Sequence, residues 1–296
     1  MTFLLAHLSD AHIGPIPRPL ARDLIGKRFT GWLNWTRGRH AHHDMEVLTR
    51  IVADMKAHRP DHVAMTGDIL NIGLPTEFPL ASAWLKTLGP REDVSFVPGN
   101  HDAYVRGSMP HLASTFAPWT QEGAESLASF PYLRIRNDIA LIGLSSGVPT
   151  SPFVASGRLG SQQRQKFAAL LDETRGLARV VMIHHPPFRR GATPGRGLSD
   201  ARAFEAILAR HGAELVIHGH NHRPALVMLP SPGGPTPVVG VASASAVPGS
   251  PHHRAAWNLY CIERKGHRWS IDMRVRGLLP GSREIGDLKQ THISPA

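Results

Sequence analysis

Apolar runs of strand length recur along the chain at 3–8, 62–66, 94–97, 139–144, 179–183 and 214–217, several bounded by Gly, Pro or Asp. Helical patterns lie between them. Asp44 precedes Val47, Leu48, Ile51, Val52 and Met55, a stripe at i, i+3, i+4 spacing that stops before Pro60. A second stripe runs through Phe167, Leu170 and Leu171. A third runs through Phe204, Ile207 and Leu208, with Ser199 as its expected N-cap and Gly212 closing it. This alternation predicts an α/β frame with mostly central strands. After residue 224 the pattern changes to strands alone, near 225–229, 237–243, 256–263 and 268–275, separated by "PSPGGPTP", "PGSPHH" and "ERKGH". Such turn signals predict antiparallel strands that finish a second sheet. Residues 1–278 read as one domain, and the polar stretch 279–296 as a loosely held tail.

Two kinds of stretch interrupt the frame. Residues 15–43 contain Ile25, Phe29, Trp32 and Leu33 at i, i+4, i+7, i+8, flanked by Arg22, Lys27 and Arg28. A basic, aromatic, amphipathic insertion is a candidate substrate cap or membrane-surface element. Gly26 and Gly31 weaken it as a free helix, so packing on its own domain is the third reading. Residues 103–130 and 186–198 are irregular and rich in Arg and Pro.

With 296 residues, 42% of them hydrophobic, the chain can bury a sizeable core. Its one cysteine, Cys261, excludes an intrachain disulfide framework and a cysteine-rich zinc site, which suits a reducing, cytoplasmic setting. Any metal must then sit on His, Asp, Glu or Asn. The opening "MTFLLAHLSD" has no basic start and a short apolar run, so a buried first strand is expected there rather than a signal peptide or a membrane span. The net charge of +10 favours an anionic partner, although the Arg-heavy, Ala-, Gly- and Pro-rich composition is also what a GC-rich genome produces.

The informative residues stand where the apolar runs stop. The first run ends in Asp10-Ala11-His12, and the second in Gly67-Asp68-Ile69-Leu70-Asn71. The third ends in Gly99-Asn100-His101-Asp102, the 179–183 run in His184-His185-Pro186-Pro187, and the 214–217 run in His218-Gly219-His220-Asn221-His222. Five strands thus deliver Asp, His or Asn at their carboxyl ends, where open α/β sheets place ligands.

This ordered set closely resembles the calcineurin-like metallophosphoesterase family, in particular its bacterial phosphodiesterase branch, and every motif from Asp10 to His222 is present. The resemblance implies a four-layer α/β/β/α sandwich with two mixed sheets and a metal site at the carboxyl ends of the strands. It implies one divalent ion on Asp10, His12, Asp68 and His222, and a second on Asp68, Asn100, His184 and His220. A carboxylate suits the bridging position because it can offer one oxygen to each ion. The two ions, Mn, Fe or Zn, would lie roughly 3.5–4 Å apart, and a bridging hydroxide would attack phosphorus in line. By the same resemblance His101 contacts the phosphate and protonates the leaving oxygen. Asp102 would orient or charge that imidazole, or else cap the following helix. His184 takes the ligand role over His185 because it directly ends its run. Asn71, His185, Arg106 and Arg189 are candidate substrate contacts, and loop residues Arg190 and Arg196 could join them. His218 has no place in the motif. His40, His42 and His43 could reach the pocket, and His252 and His253 read as a polar turn.

The leading expectation is a phosphodiesterase acting on a small phosphodiester, of cyclic-nucleotide or glycerophosphodiester type. Behind it stands a pyrophosphatase similar to the UDP-diacylglucosamine hydrolases, peripheral at the inner membrane surface through residues 15–43. A nuclease is motivated by charge, but no separate DNA-binding module accompanies it, so nucleic acid is not the expected partner. A non-catalytic scaffold, as in the retromer subunit that keeps this fold, is disfavoured by the complete ligand set.

Overall fold

The computed structural model describes residues 2–120, 127–247 and 254–293. Its first sheet starts from the buried run β1 (Thr2–Leu8), with β2 (His62–Met65) and β3 (Val94–Phe96) parallel to it on one side. On the other side lie β10 (Ala256–Lys265), β11 (Arg268–Leu278) and β12 (Ile285–His292), all antiparallel pairings, giving the order β12-β11-β10-β1-β2-β3. The second sheet has a parallel centre of β5 (Ile139–Gly143), β6 (Ala178–Met182), β7 (Leu215–His218) and β9 (Thr236–Gly240). Antiparallel edges β4 (Tyr132–Arg136) and β8 (Ala225–Leu229) complete the order β4-β5-β6-β7-β9-β8. Both sheets are therefore mixed.

Helices cover the two outer faces. Helices α2 (Met45–Ala57), α3 (Glu77–Leu88) and α4 (Met109–Phe116) bury Ile51, Leu85 and Phe116 with Leu8, Met65 and Phe96 of the first sheet. Helices α5 (Ser161–Glu173) and α6 (Ala201–His211) bury Phe167 and Phe204 against Val181 and Val216 of the second. A third cluster, including Leu5, Leu141, Val180 and Ile217, lies between the sheets. Four layers, α/β/β/α, result.

The Asp44 cap is observed: its Oδ1 accepts from the amides of Glu46 and Val47 at 2.8 and 3.2 Å. Ser199 does not cap α6. Its hydroxyl donates to Gly157 O instead, and Asp200 stands at the N-cap position. Of the strands after residue 224, only β8 and β9 finish the second sheet. β10 and β11 join the first, because β10 is apolar on both faces: Trp257 and Leu259 face the helices, while Ala256, Tyr260 and Ile262 face the other sheet. Residues 285–292, expected within a loose tail, form the edge strand β12. Its polar sequence reflects solvent on its flanks, while Ile293 just beyond it is buried between the sheets and donates its amide to Ile271 O. The histidines of the 248–253 turn, His252 and His253, lie outside the described residues.

The 15–43 insertion contains α1 (Lys27–Thr36), followed by a short 3-10 turn at Arg39–His42. Its apolar residues do not share one face. Trp32 packs inward against Ile72, Leu74 and Tyr104, whereas Ile25 and Phe29 are 78% and 50% exposed. Gly31 makes this docking possible, since a Cβ there would stand 2.3 Å from the Tyr104 hydroxyl.

Candidate metal centre

The carboxyl ends of β1, β2, β3, β6 and β7 converge, and all seven expected ligands meet there. Asp10, His12 and His222 form one group whose donor atoms lie within 4.8 Å of each other, and Asp68, His184 and His220 form a second. Asn100 joins the second, with its Oδ1 2.9 Å from His220 Nδ1. The groups adjoin through Asp68, whose Oδ2 is 3.2 Å from His184 Nε2 and 4.0 Å from His12 Nε2. Its Oδ1 instead accepts from the His101 amide at 2.8 Å, so one oxygen faces both groups rather than one oxygen facing each.

These atoms fit divalent cations. His12 Nδ1 and His184 Nδ1 donate to the carbonyls of Leu70 and Thr66 at 3.1 and 2.7 Å, which turns each Nε2 inward as the nitrogen a cation would take once its proton is displaced. His12 Nε2 then lies 3.4 Å from His222 Nε2, a close approach of nitrogens that a cation between them would satisfy. Asp10 Oδ1 is buried and hydrogen-bonded to nothing among the described residues, although His222 Nε2 stands 3.2 Å away. An orphaned carboxylate oxygen of this kind is costly unless a cation accepts it. The Asp68 carboxylate is held well below the usual range, the cost of its burial outweighed by His184 and His101. Burial pulls His184 down, but Asp68 more than reverses this and holds it up at about 9.

Backbone strain is concentrated here. Asp10, His12, Asp68, His220 and His222 have φ of 55°, 41°, 55°, 68° and 54°, a region non-glycine residues rarely occupy. The turn after β7 is thus made by its histidines. Gly219 serves close approach instead, since a Cβ on it would stand 1.8 Å from Ser9 Oγ and 2.5 Å from Asp10 Oδ2.

Several expected contacts are placed elsewhere. Asp102 does not touch the His101 imidazole; its carboxylate accepts from the amides of Asp68, Ile69, Leu70 and Gly99 at 2.7–3.1 Å, tying two ligand loops together. His185 is buried behind His220, with Nδ1 on Ser146 Oγ and Nε2 on Ala155 O, so no nitrogen is left for substrate. Asn71 is buried too: its side chain donates to Ile13 O, and its carbonyl accepts from His101 Nδ1. Arg106 sits on an exposed 3-10 turn outside the cavity, and Arg189 is paired with Glu205 at 2.7 Å. His218 belongs to neither group and turns its Nδ1 to Gly219 O. Of the three insertion histidines, His43 lies beside His12 with ring centroids 4.5 Å apart, His42 lines the cavity and His40 turns away to Trp35 O.

A cavity of about 1530 Å³ opens over Asp68, Asn100, His101, His220 and His222. The insertion forms part of its wall and contributes a residue the sequence reading missed. Arg39 Nη2 donates to His101 Nε2 at 2.9 Å. A guanidinium has no acceptor, so Nε2 is the unprotonated nitrogen and Nδ1–H is the one held by Asn71 O. The available signal was only that the insertion is Arg-rich and follows directly on the first strand of the site.

Comparison with known proteins agrees with this geometry. Residues 3–224 match the calcineurin-like phosphoesterase family. The chain is 28% identical over 228 residues to the glycerophosphodiester phosphodiesterase GpdQ of Enterobacter lignolyticus (strain SCF1), covering 74% of this chain and 70% of that one. It is 25% identical over 226 residues to a probable cyclic nucleotide phosphodiesterase of Synechococcus sp., covering 75% and 74% respectively. In fold it resembles a dimetal phosphatase from Danio rerio, with a TM-score of 0.58 at 15% identity over 99% of both chains. Two adjoining ligand groups at the strand ends, with the family match spanning every one of them, mean that this chain belongs to the calcineurin-like phosphoesterases and is a metal-dependent phosphoester hydrolase.

Proposed function

We propose that the protein is a phosphodiesterase using two divalent ions, Mn, Fe or Zn, on a small phosphodiester of the cyclic-nucleotide or glycerophosphodiester type. The observation that carries this reading is the pair of ligand groups adjoining at Asp68, under a cavity walled by cations. The names of the two relatives support the diester class. Asp10, His12, Asp68 and His222 would hold one ion, and Asp68, Asn100, His184 and His220 the other. When bound, the ions would acidify a water molecule and neutralise charge gathering on the phosphoryl oxygens.

The chain's own residues do the rest. His101 stands over the Asp68 side of the site, with Nδ1 fixed by Asn71 O and Nε2 turned to Arg39. In this tautomer Nε2 has no proton to give. Arg39 is therefore the group that presents N–H donors toward a phosphoryl oxygen, with His101 setting its direction. A guanidinium keeps its charge throughout, and such donors strengthen as the oxygens gain charge. Arg39→Ala is expected to lower kcat for a diester by about 10²-fold, on the scale of an oxyanion donor, with metal content unchanged. The direct assay sets bis(p-nitrophenyl) phosphate against p-nitrophenyl phosphate with Mn, Fe or Zn. Preference for the diester supports the reading, and exclusive monoester hydrolysis contradicts it.

A second reading, contact with a membrane surface, is favoured by one observation: Leu20, Ile25 and Phe29 of the insertion are 54%, 78% and 50% exposed beside basic residues. No helix among the described residues is long and apolar enough to cross a membrane. Replacing all three by Ser should abolish sedimentation with anionic vesicles if this reading holds. Unchanged sedimentation, or none by the parent protein, sinks it.

A further inference from the structure

The cavity carries more positive charge than a simple phosphodiester can use. Its wall includes Lys27, Arg37 and Arg39 from the insertion, Arg190 and Arg196 from the loop between β6 and α6, and Arg223 after β7. Against these six cations the wall presents one carboxylate, Asp68, which faces the metal groups. Surface arginines ordinarily stand among acids, and Arg189, next in sequence to Arg190, is paired with Glu205. Among the described residues, Arg37, Arg190, Arg196 and Arg223 make no side-chain hydrogen bond or ion pair. Lys27 is buried and its direct contacts are neutral: Nζ donates to Thr150 Oγ1 and Val154 O at 2.6 and 3.1 Å and lies 4.6 Å from the Tyr104 ring centroid. Burying an ammonium that no carboxylate touches is costly, and burial brings it down to about 8 although Asp68 favours its charge.

Like charges also share this cavity. Arg39 and Arg196 come from different segments and line the same cavity; burial lowers Arg39 most, Asp68 opposes this, and Arg196 adds to the lowering. Guanidiniums gathered in one cavity repel each other, and an anion bound among them offsets that repulsion. The cavity, about 1530 Å³, also exceeds the ~300–1,000 Å³ typical of small-ligand sites. A single diester contributes one negative charge, most of it directed at the metal groups, and leaves the outer arginines unmatched.

Resting on the phosphodiesterase reading, we propose that the outer cavity is a second anion subsite formed by Arg190, Arg196 and Arg37, and that the substrate is a phosphodiester bearing a further phosphoryl group. Arg39 and Lys27 link the two ends, one at the scissile phosphate and the other along the cavity wall. A dinucleotide-like or terminally phosphorylated diester has this chemistry.

The test compares two chromogenic esters that differ only in the second phosphate: thymidine 5′-(p-nitrophenyl phosphate) and the same ester phosphorylated at the 3′ position. For the metal-loaded protein kcat/KM should favour the 3′-phosphorylated ester by about tenfold or more, equivalent to at least ~1.4 kcal/mol. In the Arg190→Ala/Arg196→Ala variant that ratio should fall toward one. Both side chains are exposed, so the variant should fold, which its thermal transition checks. A parallel calorimetric comparison of thymidine 3′,5′-bisphosphate with thymidine 5′-monophosphate, on the metal-free protein, should show the same loss of preference. A wild-type ratio near one, or a ratio the variant leaves unchanged, overturns the subsite. An affinity that keeps rising with each phosphate along an oligonucleotide ladder overturns it in favour of a nucleic-acid track. If neither ester is turned over, the phosphodiesterase reading fails, and the calorimetric ratio still decides the subsite.

Discussion

Residue identity at the strand ends carried most of the chemistry, because ligand type and order survive in a sequence while backbone conformation does not. All seven candidate ligands, which the fold brings together, were legible as Asp, His and Asn in sequence order. Their left-handed φ values were not, since nothing in the letters of Asp10 or His220 marks a strained position. Asp102 shows the limit of adjacency. Its place beside His101 suggested partnership, whereas the fold turns its carboxylate to four backbone amides. Asp102→Ala should therefore cost about 3 kcal/mol or more in urea denaturation, because it leaves buried donors unpaired. A residue that only oriented His101 would lose activity with stability intact. His62 gives a second prediction. Burial, reinforced by Arg134, lowers it to about 3 from 6.5, and its Nε2 meets Ser95 Oγ at 2.8 Å. The unfolded chain then binds the extra proton between pH 6.5 and about 3, so stability falls as pH drops through that window. His62→Gln should make that decline shallower by about one proton, measured as the slope of unfolding free energy against pH. An unchanged slope would contradict a neutral His62.

At the scale of elements, strongly apolar runs and capped stripes were readable, and weakly patterned ones were not. β4 escaped because Tyr132-Leu133-Arg134-Ile135-Arg136 mixes charge with apolar residues, and it buries Arg134 against the carbonyls of Arg91 and Val94. β10 was read as a strand but put in the wrong sheet, since strand propensity says nothing about which neighbour a two-faced apolar strand will choose. β12 looked like a tail because an edge strand has few buried side chains. Ile293 distinguishes the two readings. Buried between the sheets, its replacement by Ala should cost about 2–4 kcal/mol. A loosely held tail would lose almost nothing in the same denaturation experiment.

Across the whole molecule, two sheets each contribute strands to one centre: β1, β2 and β3 from the first, β6 and β7 from the second. The layered core between them fixes the distance across which Asp68 of one sheet meets His184 of the other, at 3.2 Å. The insertion closes over that seam, which makes Arg39 part of the site although it lies far from the ligand motifs in character and was invisible to a motif reading. The net charge of +10, which composition alone could ascribe to genome bias, includes six basic residues that line this cavity against one carboxylate, a grouping that composition could not reveal. The proposed centre would take two divalent ions and use both. Metal content and bis(p-nitrophenyl) phosphate turnover, measured on the same samples of the parent protein and of His222→Ala and Asn100→Ala, test it most directly. Two divalent ions per chain in the parent, with each variant losing metal and most of its turnover, is the predicted result. A parent chain that binds no divalent ion, or variants that hydrolyse the diester as the parent does, would contradict it.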